Sequence, residues 1–259
     1  TAMNGSTEGP PPSNKPATGD LGGGSPKLPG VVGQSGTRTS SNAEAVPLHQ
    51  AASRGDLEAF NAQLAKGLDV NAPLRGERAE RQGMTPLMSA VISAGPETVR
   101  GVVAAKANVN AKSDDGFTAL HFAAERGVLA NLQALLKADA NPDLTNQAGE
   151  TPLMLAARAG SVEKVLALMT AGASVTPKDK QGNSALAYAA ASNADALVVK
   201  VLLDAESDPN VADLQGVTPL MKAVERGDVQ KVVALLNSGA VLRAKDAAGR
   251  TAMDRAKAR

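Results

Sequence analysis

The chain has 259 residues, a net charge of +1, no cysteine, and aromatic side chains at only 2% of positions. No global field draws it to nucleic acid or an acidic membrane surface, and the lack of cysteine excludes disulfides, thiol catalysis and thiolate metal sites. No apolar run approaches the ~18 residues of a membrane helix and no signal peptide is visible, so no membrane insertion is expected.

Residues 1–44 come first. Their first 36 positions hold nine glycines and six prolines among serine and threonine. Such a composition has no apolar pattern to offset the entropy of ordering, so a flexible tether is expected. The chain starts at Thr1 and not at Met. That points to a processed or trimmed product and leaves the compartment open, cytoplasmic or exported with a signal already removed.

From about residue 45 the sequence repeats itself. Thr-Pro-Leu-Met stands at Thr85, Thr151 and Thr218, with relatives at Thr118 (TALH), Ser184 (SALA) and Thr251 (TAMD). The steps are 33 residues, with one of 34 between Ser184 and Thr218. A period of this length means one supersecondary unit stacked on copies of itself. The units start near Ala45, Met84, Phe117, Glu150, Asn183, Val217 and Arg250.

Within the unit at Glu150, Thr151 suits an N-cap and Pro152 the first helical position, where its missing donor costs nothing. Leu153, Ala156 and Ala157 give a short first helix, which Gly160 ends in the left-handed conformation. Val162, Val165, Leu168 and Met169 follow at helical spacing as the stripe of a second helix. Lys178 to Gly182 is a turn with a terminal glycine. The unit is therefore helix, turn, helix, hairpin-like loop.

T-P-L-H-x-A-A, then Gly, then V-x-x-L-L, then G-A, all in register, resembles the ankyrin repeat. The resemblance covers residues 45–259 and implies an all-α solenoid of six full repeats and a C-terminal half repeat. TAMDRAKAR is polar enough to close the stack. Asn193 takes the glycine position of its unit, where asparagine can enter the left-handed region. The loop from Pro73 to Gly83 is six residues longer than its equivalents and carries RGERAERQ.

Candidate chemistry is sparse. Asp114-Asp115 sits in a turn, where aspartate commonly makes local hydrogen bonds. His49 and His121 recur at one repeat position, which makes them structural, and they are two repeats apart. No phosphate loop, HExxH or EF-hand pattern is present. No catalytic residue, cofactor or metal is expected. Arg75, Arg78 and Arg81 alternate with Glu77 and Glu80, and no interleaved aromatics offer a stacking platform, so nucleic acid is not expected either. The basic end, Arg243 to Arg259, reads as a solvated cap that could meet an acidic partner.

The resemblance implies binding of a protein through the finger tips and the concave face of the first helices, by a chain expected to be monomeric. The residue four after the repeat's Thr varies as Ser89, Phe122, Leu155, Tyr188 and Lys222. Because serine and lysine occur there, the position is expected to be exposed, with Phe122, Leu155 and Tyr188 forming one apolar stripe and Phe117 beside it. The expected rim is Lys112, Asp114, Gln147, Lys178, Lys180, Leu214, Gln215 and Lys245 on the fingers, with Ile92, Glu125, Arg126 and Arg158 on the helix ends. Inhibitor and scaffold are the two modes this suggests. The alternatives are an accessory domain of an enzyme system and a structural spacer.

Overall fold

The computed structural model describes residues 42–76 and 82–257. The expected tether up to residue 41 and positions 77–81 of the long loop lie outside the described residues. Among those described there are thirteen helices and no strand. They form six pairs, α1 (Asn42–Arg54) with α2 (Leu57–Ala65), α3 (Pro86–Ser93) with α4 (Pro96–Ala104), α5 (Ala119–Glu125) with α6 (Leu129–Leu136), α7 (Pro152–Ala159) with α8 (Val162–Thr170), α9 (Ala185–Ala191) with α10 (Ala196–Asp204) and α11 (Pro219–Arg226) with α12 (Val229–Asn237). A single α13 (Ala252–Lys257) follows. Odd helices pack on odd helices to give an inner row, and even helices on even helices to give an outer row.

Each inner helix starts where its cap dictates. The hydroxyls of Thr85, Thr118, Thr151, Ser184 and Thr218 accept the backbone N–H three residues on. This satisfies one of the donors that a helix start leaves open. In the first unit the position is Val46, which has no oxygen to cap with. There α1 runs back to Asn42 and carries Pro47 inside it. The helical array therefore begins slightly before the boundary at residue 44.

The inner helices do not all end alike. Gly160 and Gly227 take the left-handed conformation, as the sequence suggests. Asn193 does not. Helix α9 stops at Ala191 and Ser192 turns extended (φ −77°, ψ 167°). Helix α3 likewise exits extended, at Ala94 (φ −117°, ψ 172°), in a unit without the extra residue, so this exit needs neither a left-handed residue nor an insertion.

The outer row reaches back to close the inner row. Asn131 Nδ2 donates to Val91 and Ala94 carbonyls at 3.0 Å each. Lys164 Nζ donates to Ala124 O at 3.1 Å. Lys231, 0% exposed, donates to Ala189 O at 3.0 Å and Ser192 O at 2.8 Å. Each side chain sits at the same place in its repeat and meets the C-terminal carbonyls of the preceding inner helix. A cation there also meets the negative end of the helix dipole. Burial pushes both ammonium groups below the ordinary lysine value, with Asp228 opposing that shift at Lys231.

His49 and His121 are structural. His121 Nδ1 accepts from Thr118 N–H at 3.1 Å, which leaves the proton on Nε2 to donate to Glu150 O at 3.0 Å in the next repeat. Met88 and Met154 place Sδ where Nδ1 would be, 3.3 Å from Thr85 N and 3.4 Å from Thr151 N. Methionine keeps the cap and loses the bond to the next layer. Burial pushes the His121 ring down from 6.5 to about 4, against the Glu150 carbonyl, which favours its charged form. The unfolded chain takes up protons first, so this contribution is complete above about pH 6.5 and is lost as pH falls towards about 4. The urea midpoint should drop between pH 7 and about pH 4.5, and His121→Met should remove part of the drop. Identical pH profiles for the two proteins would show that His121 stays accessible to protons. His49, which burial also lowers against its bond to Ala72, contributes to the remainder.

Candidate functional site: the inner-helix and finger surface

The fingers stack through one backbone bond per step. Asp114 N–H donates to Gln82 O, Gln147 N–H to Asp115 O, Lys180 N–H to Ala148 O, Leu214 N–H to Gln181 O and Ala247 N–H to Gln215 O, at 2.8–2.9 Å. From the second finger on, each finger tip is tied internally by a residue five before the cap. Oδ1 of Asp179 accepts from the N–H groups of Gln181 and Asn183, that of Asp213 from Gln215 and Val217, and that of Asp246 from Ala248 and Arg250. Asn146 does the same, and Ser113 Oγ accepts from Phe117 N–H.

The fourth residue after the cap lies beneath its own finger, which overturns the expected apolar stripe. Phe122 and Leu155 are 0% exposed, Phe117 and Ser89 are buried, and Tyr188 is only part-exposed. Phe117 stacks at 5.4 Å from both the His121 and the Phe122 rings. What accepts a polar residue there is the finger. Tyr188 Oη donates to Asp179 Oδ2 at 2.7 Å and Lys222 Nζ to Asp213 Oδ2 at 2.7 Å. Arg255 donates to Asp246 Oδ2 through Nε at 3.1 Å and Nη2 at 2.5 Å. Where the finger has neutral Ser113 or Asn146, the residue nine positions on is apolar Phe122 or Leu155. Lysine at this position therefore marks a local partner and not exposure, and serine marks a partner in the preceding repeat, since the Ser89 hydroxyl is 2.8 Å from His49 Nδ1. The pairing with a residue nine earlier was present in the sequence and would have revealed this.

Burial works to raise the Asp246 carboxyl. The backbone N–H groups of Arg250 and Ala248 and the Arg255 and Arg250 side chains outweigh it and hold the group at about 2. Asp213 is also held below the ordinary range, burial again opposing, by Lys222 and the backbone of Val217 and Gln215. Burial and then the two neighbouring carboxylates push the Tyr188 phenol up.

The remaining predicted residues divide by what they touch. Arg158 bridges Glu150 at 2.6 Å and Glu125 at 3.0 Å and lies 5.5 Å over the Tyr188 ring. Arg126 is exposed and 3.4 Å from Glu125. Ile92 is half-buried against the core and lines a hollow with His49, Ser53, Ser89 and Ser93. Asp114 pairs with Arg75, and Gln147 Nε2 donates to Asp114 O at 2.6 Å. Lys112 Nζ donates to Thr145 O at 2.8 Å. Lys178, Lys180, Leu214, Gln215 and Lys245 are exposed. A second hollow of about 300 Å³ opens between the fingers and α5 and α7, walled by Phe117, Glu125, Glu150 and Arg158. Among the described residues no three His, Cys, Asp or Glu side chains are grouped to hold a metal ion. No helix among them is long and apolar enough to cross a membrane.

A family model for ankyrin repeats, in three copies, matches residues 48–146, 129–213 and 190–258. The chain belongs to the ankyrin-repeat family. Two solved ankyrin repeat domains are similar along most of their length. That of Bcl-3, described as a unique member of the IkappaB protein family, is 30% identical, with 81% of this chain and 92% of that chain covered and a TM-score of 0.68. That of human ASB11 is 26% identical, with 81% and 91% covered and a TM-score of 0.70. Ankyrin repeats are in general a protein-interaction fold and typically carry no catalytic activity of their own. The thirteen helices, the capped inner row and the stacked fingers of this chain are those of an ankyrin array.

Proposed function

We propose that this ankyrin array is a non-enzymatic module that binds a partner protein across the concave inner face and finger tips, and acts as an inhibitor or a scaffold through that occupation. The observation that carries the reading is the pre-positioned polar network on this face. Glu125, Arg158, Glu150, Tyr188 and Asp179 form one connected chain over three repeats. Lys222 with Asp213, and Arg255 with Asp246, repeat the arrangement beneath the later fingers and hold them in place, while Arg158 and the part-exposed Glu125 and Tyr188 are the members that reach the surface. Side chains already held in place lose little further freedom when a partner arrives, so their contacts count towards affinity. The likeness to the Bcl-3 domain, described as a unique member of the IkappaB protein family, favours an inhibitory outcome for such binding.

The test is site-specific crosslinking in cells. A photoreactive phenylalanine derivative in place of exposed Arg126 should yield a defined adduct with a partner protein. The same group in place of Lys137, at the end of outer helix α6, should not. Adducts of equal yield from both positions, or from Lys137 alone, would place the binding face elsewhere.

A further inference from the structure

The fingers of the last three full repeats differ from the others in what they show to solvent. In sequence their charges look balanced, because Lys178 and Lys180 flank Asp179, and Lys245 precedes Asp246. The fold separates them. Asp179 and Asp246 are buried, and Asp213 is half-buried, each with its oxygens turned inward onto backbone N–H groups and onto Tyr188, Arg255 or Lys222. Lys178, Lys180 and Lys245 remain exposed and form no ion pair with another described residue. Between them the fifth finger presents Leu214, 72% exposed, the most exposed large apolar side chain among the described residues. The second finger is different: Asp114 pairs with Arg75, and Lys112 is tied to Thr145 O.

We propose that the tips of these three fingers bind an extended acidic segment of a partner protein, one carboxylate on Lys178 and Lys180, a second on Lys245, and an apolar side chain between them on Leu214. This rests on the inner-face reading above and adds the class of partner. The spacing follows from geometry. Adjacent repeats are ~10 Å apart, so the outer two fingers are ~20 Å apart, and an extended chain at ~3.3 Å per residue covers that in about six residues. The matching segment has Asp or Glu at positions about six apart with an aliphatic residue midway. A nucleic-acid backbone fits worse, because it presents a charge at every step, whereas the middle finger offers Leu214 and Ala212 in place of cations and no aromatic side chain for stacking.

The test uses the full chain and two fluorescein-labelled Ser/Thr peptides, one with glutamates six apart and leucine midway, the other with the same composition and the glutamates adjacent. At ~50 mM salt the spaced peptide should bind at least about tenfold more tightly than the clustered one. Lys178→Glu with Lys245→Glu should weaken it by about tenfold or more, and Leu214→Ser by a few-fold, while Lys137→Glu on the outer surface changes it by less than about twofold. Helical circular dichroism of each variant should match the parent, since all these side chains are exposed. No saturable binding, equal binding of the two peptides, or tighter binding of a single-stranded DNA 12-mer would overturn the proposal. If the peptide fails while the Arg126 crosslink persists, only the acidic class falls and the inner-face reading stands.

Discussion

Phe122→Ala is expected to lower stability by about 3–5 kcal/mol, the range for truncating a fully buried phenylalanine. Phe122 is sealed beneath its own finger and stacked on Phe117, so alanine leaves a cavity in the third repeat that surrounding alanines are too small to fill. Urea unfolding followed by far-UV circular dichroism would read this as a lower midpoint. An array of this kind can also lose cooperativity when a central layer is weakened, so the melt should broaden as well. An unchanged midpoint would mean that the ring faces solvent after all. Tyr188→Phe is a useful companion. It keeps the ring and removes only the hydroxyl, which donates to Asp179 at 2.7 Å and lies 3.1 Å from Glu150, and this should cost about 1–3 kcal/mol.

Gly116→Ala and Gly249→Ala should part company, although both glycines occupy the same turn of their repeats with left-handed φ of +83° and +75°. A Cβ on Gly116 would stand 2.8 Å from Gln147 N and 3.0 Å from Asn146 Cα, both backbone atoms of the next finger. That is the finger whose Gln147 N–H donates to Asp115 O, so the clash opens the stacking bond too. A Cβ on Gly249 meets nothing within 4 Å. Alanine at 249 should therefore cost only the conformational penalty of about 1–2 kcal/mol, and alanine at 116 about 2–4 kcal/mol in all. Thermal or urea melts of the pair separate strain within a turn from contact between turns. Equal losses would mean that the fingers are not in backbone contact.

Much of the array is legible in one dimension. The caps at Thr85, Thr118, Thr151, Ser184 and Thr218, the prolines that follow three of them and the left-handed glycines after α7 and α11 are local devices. A local device needs only its neighbours in sequence, so residue type and spacing carry it. The structural role of the two histidines was readable for the same reason: they recur at the period of the fold.

The burial of the expected stripe was not readable by the rule applied to it. Variation between apolar and polar residues at Phe122, Leu155, Tyr188 and Lys222 suggests solvent, because an unpartnered lysine in a core is costly. The partners are nine residues away, across a turn, and they vary in step: Asp179 for Tyr188, Asp213 for Lys222, Asp246 for Arg255. Burial follows from the pair and not from either residue. The buried Lys231 makes the same point, since its partners are carbonyls at the end of another helix, 39 and 42 positions earlier.

The sequence by itself determined the period, the helix pairs and the family, since these follow from short-range geometry repeated in register. Only the tertiary structure decided which side chains face outward. Sequence neighbours such as Lys178, Asp179 and Lys180 go opposite ways because the finger's own N–H groups draw the carboxylate in and leave the ammonium groups in water. A chain with a net charge of +1 thereby acquires a basic edge that its composition does not contain.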